Sequence, residues 1–440
     1  MTSPMDTLVT LVTTDFAGIT RGRALCSSAY KDNGPNSTGW VPANMSLTPF
    51  DEIASPNPWG SAGDLRLLAD STARFQVALP GAATPLDFVA ADIVELDGTP
   101  WPLCPRAFLK QALADLERET GLRLLASFEH EFQIFGVDRP AAPAFSLSAL
   151  RRTDPFGPAL MQALFAGGLA PENFIAEYGR DQYEVTIAPA DGLTAADRAM
   201  ALREIVRELA AISGWRATFA PKTTVSGVGN GVHIHFSLTD ADGQPATYDG
   251  QRPGGASKQA GSFVAGILRH LPALTAFTAP SPISYLRLQP HNWSSSYTWF
   301  GDRDRESSLR ICPVNRIGGA DPARAFNIEY RPADATAGPY LSLGIMVRAG
   351  LGGLRAGLPA PPLFSGDPDL LSPGEREALG LKRLPGSLSE ALGELEVDAT
   401  VRGWFDPRAI ETYVGMKRKE LELAGDAVDD ALCRRYAAIY

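Results

Sequence analysis

No stretch constrains this chain more than Ser127-Phe128-Glu129-His130-Glu131-Phe132. It sits in residues 124–135, where the period-two pattern of a β-strand places alternate side chains on one face. Glu129 and Glu131 then point one way and His130 the other. Two carboxylates side by side on an apolar strand repel. They require a cation, a solvated face or a raised pKa. A solvated edge strand is the plain alternative for the pair taken alone.

Three more segments repeat the pattern. Glu177 and Glu184 bracket Tyr178-Gly179-Arg180-Asp181-Gln182-Tyr183, ahead of a strand-like run. His233-Ile234-His235 follows the glycine-rich stretch 227–231, and Glu329 alternates with Arg331. A carboxylate-rich set with imidazole and no thiolate suits Mg²⁺ or Mn²⁺ better than structural zinc. Such ions neutralise phosphate and stabilise a phosphoryl group in transfer. No P-loop is present. The arginines Arg287, Arg303, Arg305 and Arg310 read as an anion clamp behind such a ligand set, since guanidinium grips phosphate and carboxylate bidentately.

Around these segments the chain reads as α+β. Residues 8–14 and 23–28 flank the turn Asp15-Phe16-Ala17-Gly18, a hairpin signal, and 65–68 and 75–79 are further short strands. The proline-rich run 98–105 resembles a connector, and Leu109, Ala112, Leu113 and Leu116 recur at helical spacing up to Gly121. A domain boundary is placed near residue 104, giving 1–104 and 105–440. Helices carry Leu202–Ile212 and Phe263–Leu271, residues 232–238 alternate as a strand, and 357–374 reads as a surface loop.

The 440 residues include 40 basic and 50 acidic side chains, a net charge of −10, which disfavours nonspecific nucleic-acid binding. Four scattered cysteines point to reduced, mostly buried thiols. Residues 1–18 lack a basic leader, and no run reaches the roughly 18 apolar residues of a membrane span. A soluble cytoplasmic protein is the expectation.

In order and spacing these segments resemble the glutamine synthetase family along nearly the whole chain. Asp15-Phe16-Ala17-Gly18-Ile19-Thr20-Arg21-Gly22 is similar to the early Asp-x-x-Gly-x-x-Arg-Gly stretch of the family's N-terminal β-grasp domain. Glu129-His130-Glu131-Phe132, the Glu177-to-Glu184 spacing, Ala217-Thr218-Phe219-Ala220-Pro221-Lys222, Gly231-Val232-His233-Ile234-His235-Phe236-Ser237, Ile328-Glu329-Tyr330-Arg331 and Pro339-Tyr340-Leu341 match further family motifs. The resemblance implies a small β-grasp domain followed by a catalytic domain with a curved antiparallel sheet flanked by helices. It also implies ATP as co-substrate and two metal sites. Glu131, Glu177 and Glu184 would hold one ion near glutamate and the amine, and Glu129, His233 and Glu329 the other, between the nucleotide phosphates. His235, Ser237, Arg310 and Arg324 would lie near ATP. Arg287, Gly229 and Asn230 would meet glutamate, and Arg303, Arg310 and Arg331 would meet phosphate or the acyl phosphate. A homo-oligomer of two hexameric rings, with sites shared between subunits, is implied as well.

The departures direct the substrate. Six residues after Arg287, where ammonia-using members carry a glutamate, stands Trp293. The family's Asp-Gly-Ser-Ser segment is not recognisable around residues 37–42, and Asp51 is a poorly aligned substitute. Asn327 stands where an arginine is common beside ATP. An indole offers an apolar face where ammonium needs anionic surroundings. The reading is therefore a γ-glutamyl-amide ligase that joins glutamate to an organic amine. An ammonia-using glutamine synthetase and a non-catalytic structural or sensing relative are the alternatives.

Overall fold

The computed structural model describes residues 7–55 and 57–440; the first six residues of the segment read as lacking a leader lie outside this range. Among the described residues, fourteen strands form two sheets. In the first sheet, β1 (Leu8–Thr14) and β2 (Thr20–Cys26) make the expected hairpin, paired from Leu8↔Cys26 to Thr14↔Thr20. β3 (Ser37–Trp40), β4 (Leu65–Val77) and β5 (Leu86–Val94) complete the order β2-β1-β5-β4-β3, with β1 and β5 parallel. The two short strands expected at 65–68 and 75–79 are one strand. Its pairing with β5 breaks between Ala69 and Arg74, and this bulge accommodates Asp70, Ser71 and Thr72, the polar residues that divide the sequence pattern.

After the connector, a helix spans Pro105–Thr120. Cys104 caps its N-terminus, Pro105 occupies the first turn, and Gly121 ends it at φ 69°, a left-handed conformation glycine adopts without penalty. The larger sheet follows: β6 (Arg123–Phe135), β7 (Pro171–Ala176), β8 (Gln182–Ile187), β9 (Ala190–Asp191), β10 (Arg216–Thr218), β11 (Val232–Thr239), β12 (Phe300–Asp302), β13 (Leu309–Ile311) and β14 (Ile328–Tyr330). The main path runs β12-β13-β14-β11-β6-β8-β7, with β9 and β10 also on β6. It is the curved sheet expected, antiparallel except that β12 and β13 run parallel at one end. Helices Gly192–Ile212, Lys258–Thr278 and Pro339–Arg355 bury their apolar residues in the main core. Residues 357–374, expected as a surface loop, include the helical turn Pro368–Leu370 and the start of the helix Pro373–Leu379, and Leu363 bridges to Phe300.

β6 sorts its side chains by parity. Leu124, Ala126, Phe128, His130, Phe132 and Ile134 are buried, while the intervening residues, Glu129 and Glu131 among them, are less so. His130 sits near Phe128 and Phe219, and burial pushes its pKa down to about 3, so it is a neutral core residue. All four cysteines are free, three of them buried and Cys26 exposed. Among the described residues no helix is long and apolar enough to cross a membrane.

Candidate active site

Strand register assembles the site. β11 lies antiparallel to β6, so His233 faces Glu129 and His235 faces Ser127. On the other side of β11, His235 is paired with Glu329 of β14, which is paired in turn with Arg310 of β13. Glu131 of β6 is opposite Glu184 of β8. Directly opposed residues share a face. Five neighbouring strands therefore gather Glu129, Glu131, Glu184, His233, His235, Glu329 and Arg310 on one surface of the sheet. Ser237, two residues beyond His235, keeps that facing and is half-buried.

The contacts are close. His235 Nε2 lies 2.7 Å from Glu129 Oε2, and His233 Nδ1 lies 3.5 Å from Glu329 Oε1 and 3.9 Å from Glu129 Oε2. Ligand atoms of Glu129, Glu184 and His233 lie within 4.8 Å of one another. This set draws Glu184, which the sequence assigns beside Glu131 and Glu177, toward Glu129 and His233. Glu177 is half-buried at the start of the β7–β8 turn, and its pKa is raised by burial.

Arg310 Nη1 donates to Glu329 Oε2 at 2.8 Å, and Arg331 donates to the other oxygen of Glu329. Arg310 Nε and Arg331 Nε are buried without a partner among the described residues. Arg287 is 5% exposed and donates to the carbonyl of Ala333 at 3.1 Å. Gly231 permits this approach, because a Cβ there would stand 2.4 Å from Arg287 Nη2. Its amide also donates to Glu131 Oε2 at 2.7 Å. Asn230 is buried, accepting from Gln182 at 2.9 Å and donating to Ala220 O at 2.8 Å, while the Gly229 carbonyl accepts from the same Gln182 amide. These two residues shape the loop beside Arg287.

The electrostatics show how much negative charge is concentrated here. Burial pushes Glu131 up to about 7, against the pull of Arg287. Burial and then Glu129 push Glu184 up, whereas contacts with His235 and Glu184 outweigh burial and hold Glu129 low. Burial pushes His233 down to about 3, leaving a neutral imidazole with a lone pair for a cation. Glu329 is held at about 2: burial opposes ionisation, but the Arg331 guanidinium prevails, helped by His235 and the hydrogen bond from Arg310.

Other expected residues stand apart. Arg303 is exposed at φ 60° and pairs with Asp302 at 3.3 Å, and Arg324 is exposed beside Asp321 at 3.9 Å. The Trp293 side chain is 69% exposed, and the contact to the cluster is through its carbonyl, which accepts from Arg331 Nη2 at 3.0 Å. Asp51 is exposed and pairs with Arg21 at 3.4 Å. Two participants were missed in the sequence. Cys312 lies 3.6 Å from His235 Nδ1, and its signal was alternation with Arg310. Glu306 accepts from the amides of His291 and Trp293, both at 3.0 Å, and was hidden in an arginine-rich run.

An acidic, imidazole-bearing sheet face backed by buried guanidiniums with unpartnered donors is the architecture of an enzyme that handles phosphoryl groups with divalent ions. Similarity to known proteins narrows the class. The model for the glutamine synthetase catalytic domain matches residues 102–436, and that for the glutamine synthetase N-terminal domain matches residues 2–101. A gamma-glutamylpolyamine synthetase of Streptomyces coelicolor is 34% identical over 438 residues, covering 97% of this chain and 92% of that protein. A glutamine synthetase of Thermococcus kodakarensis is 33% identical over 330 residues, covering 73% and 72%. A crystal structure of a novel glutamine synthase homolog superposes with TM-score 0.92 at 44% identity, covering 100% of both chains. Ligand-free GmaS superposes with TM-score 0.78 at 26% identity, covering 94% and 92%. The chain belongs to the glutamine synthetase family of ligases.

Proposed function

We propose that this enzyme forms γ-glutamyl amides from glutamate and an organic amine, through a γ-glutamyl phosphate made at the expense of ATP. A carboxylate resists attack because its charge repels the nucleophile and its oxygen leaves poorly, and phosphorylation converts that oxygen into a leaving group. The observation that carries the reading is the one-face cluster of Glu129, Glu184, His233 and Glu329 beside Arg310 and Arg331, whose Nε donors have no partner among the described residues.

The donor set fits hard divalent ions. Buried carboxylates and a neutral imidazole on one face suit Mg²⁺ or Mn²⁺, two or more per site, and those ions would supply charge neutralisation at the transferring phosphoryl group. Glu131, Glu177 and Glu184 would hold the ion nearer the amine, and Glu129, His233 and Glu329 the ion nearer the nucleotide. Arg287 grips the α-carboxylate of glutamate beside the 229–231 loop, with Gly229 and Asn230 shaping that pocket. Arg310 and Arg331 receive phosphate oxygens. His235 and Ser237 border ATP. Arg303 and Arg324, which stand apart on exposed segments, would have to leave Asp302 and Asp321 to meet the phosphates from the rim. Trp293 supplies an indole face to the incoming amine in place of an anionic ammonium site, which favours an organic acceptor over ammonia.

Residues 1–104 and 105–440 act as the β-grasp and catalytic units. The working assembly is a dodecamer of two hexameric rings with shared sites, which sedimentation tests. Dependence on ATP and the unpaired buried thiols favour a cytoplasmic setting. The deciding experiment supplies glutamate, ATP and a panel of amines and follows γ-glutamyl products by mass spectrometry. Organic amines are the expected acceptors; ammonia as the sole good acceptor would overturn the assignment in favour of glutamine synthetase itself.

A further inference from the structure

Cys312 adds a sulfur to the nucleotide side of the carboxylate face. It lies two residues after Arg310, so strand alternation returns its side chain to the surface that carries Glu329 and His235. Its Sγ stands 3.6 Å from His235 Nδ1 and 3.7 Å from Glu329 Oε2, and ligand atoms of the three residues lie within 4.8 Å of one another. Around a tetrahedral zinc ion, with bonds of about 2.3 Å to sulfur and about 2.0–2.1 Å to nitrogen and oxygen, the sulfur stands about 3.5–3.6 Å from each neighbouring nitrogen or oxygen. The edges from the Cys312 sulfur, 3.6 and 3.7 Å, lie within about 0.2 Å of that spacing. The second imidazole nitrogen, Nε2, is 2.7 Å from Glu129 Oε2. A carboxylate on one ring nitrogen fixes the tautomer and leaves the other nitrogen to ligate a metal. Asn327 Oδ1, at 2.9 Å from Nδ1, must turn aside, and Arg310 Nη1, which donates to Glu329 Oε2 at 2.8 Å, must share that oxygen with the metal or release it. Thiolate sulfur selects soft and borderline cations, while Mg²⁺ takes oxygen.

We propose that His235, Cys312 and Glu329 form a capture site for zinc-class divalent cations, and that filling it inhibits the ligase by withdrawing Glu329 and His235 from the nucleotide side. The inhibition rests on the function proposed above; the binding does not. On binding, the sulfur–metal bond forms as the thiol proton passes to solvent, any proton on Nδ1 leaves likewise, and no electron is transferred.

The full-length protein with Cys26→Ser, which removes the exposed thiol, is titrated with Cd²⁺. One equivalent of thiolate-to-cadmium charge-transfer absorption is expected, and Cys312→Ser abolishes it. The grouping of His291, Asp367 and Asp369 has no sulfur and contributes no such band. In the ligase assay at saturating Mg²⁺, Zn²⁺ inhibits the parent, and Cys312→Ser raises the inhibitory concentration at least about tenfold. Absence of the band, its persistence in Cys312→Ser, or unchanged zinc sensitivity overturns the site. Should Cys312→Ser lose its circular-dichroism signature of folding, Cys312→Ala replaces it, and His235→Gln must independently weaken Cd²⁺ binding. An intact cadmium band in a protein that forms no amide refutes the proposed function and leaves the metal site standing.

Discussion

Glu306 holds the loop that presents Trp293, and the cost of removing it can be worked out. One of its oxygens accepts the His291 amide and the other the Trp293 amide, both at 3.0 Å. The loop resists this arrangement: His291 and Trp293 have φ of 62° and 52°, left-handed values that cost an L-residue roughly 1–2 kcal/mol each. Hydrogen bonds to a charged group are worth about 1.5–3 kcal/mol in a buried setting. Glu306 is only half-buried, so solvent screening reduces each to about 1 kcal/mol. Glu306→Ala therefore withdraws about 2 kcal/mol from the ordered loop, a factor of about 30 in its population relative to open forms.

If that loop shapes the amine site, the penalty falls on the amine alone. Steady-state kinetics with the amine varied at saturating glutamate and ATP should show its KM rising by up to about 30-fold, with the KM for ATP unchanged. Glu306→Gln retains one carbonyl acceptor, loses about half the stabilisation, and should raise the amine KM by about fivefold. An amine KM within about twofold of the parent in Glu306→Ala would refute the reasoning, because the loop would then be held by something other than this carboxylate.

Three further outcomes follow from other contacts. Chelation of divalent ions should stop turnover and Mg²⁺ or Mn²⁺ restore it, while Glu184→Gln should lower turnover at saturating metal by about a hundredfold or more, read by phosphate release. Arg106 is 1% exposed and joins Asp70 and Asp92 of the first sheet to Asp197 of helix Gly192–Ile212, with contacts of 2.8 to 3.1 Å. Arg106→Met strands the buried Asp197 and should cost about 3–5 kcal/mol, measured by urea unfolding. Asp70 is held down to about 2 from 3.8; burial opposes ionisation, but hydrogen bonds from Thr72 and Arg106 outweigh it. Its contribution is therefore complete above about pH 4 and lost as the pH falls toward 2, so the stability gap between parent and Asp70→Asn should close over that interval.

What could be read in the sequence depended on whether a feature is local or built by register. Period-two alternation in β6 separates His130 from Glu129 and Glu131, and the structure places His130 in the core as that parity requires. The proline-rich connector and Gly121 likewise mark both ends of the helix Pro105–Thr120, because caps are written in adjacent residues. Which carboxylates approach one another is different. The closeness of Glu184 to Glu129 and His233 depends on β8 and β11 flanking β6 in one register, and a one-residue slip would turn either strand's ligands to the opposite face. The same reasoning explains the two participants that escaped notice. Cys312 looks inert until β13 is paired with β14, and Glu306 looks like part of a charged run until the loop at 291–293 folds back over it. Motif order discloses the family; the role of a residue without a motif is set by the strand or loop it is folded against.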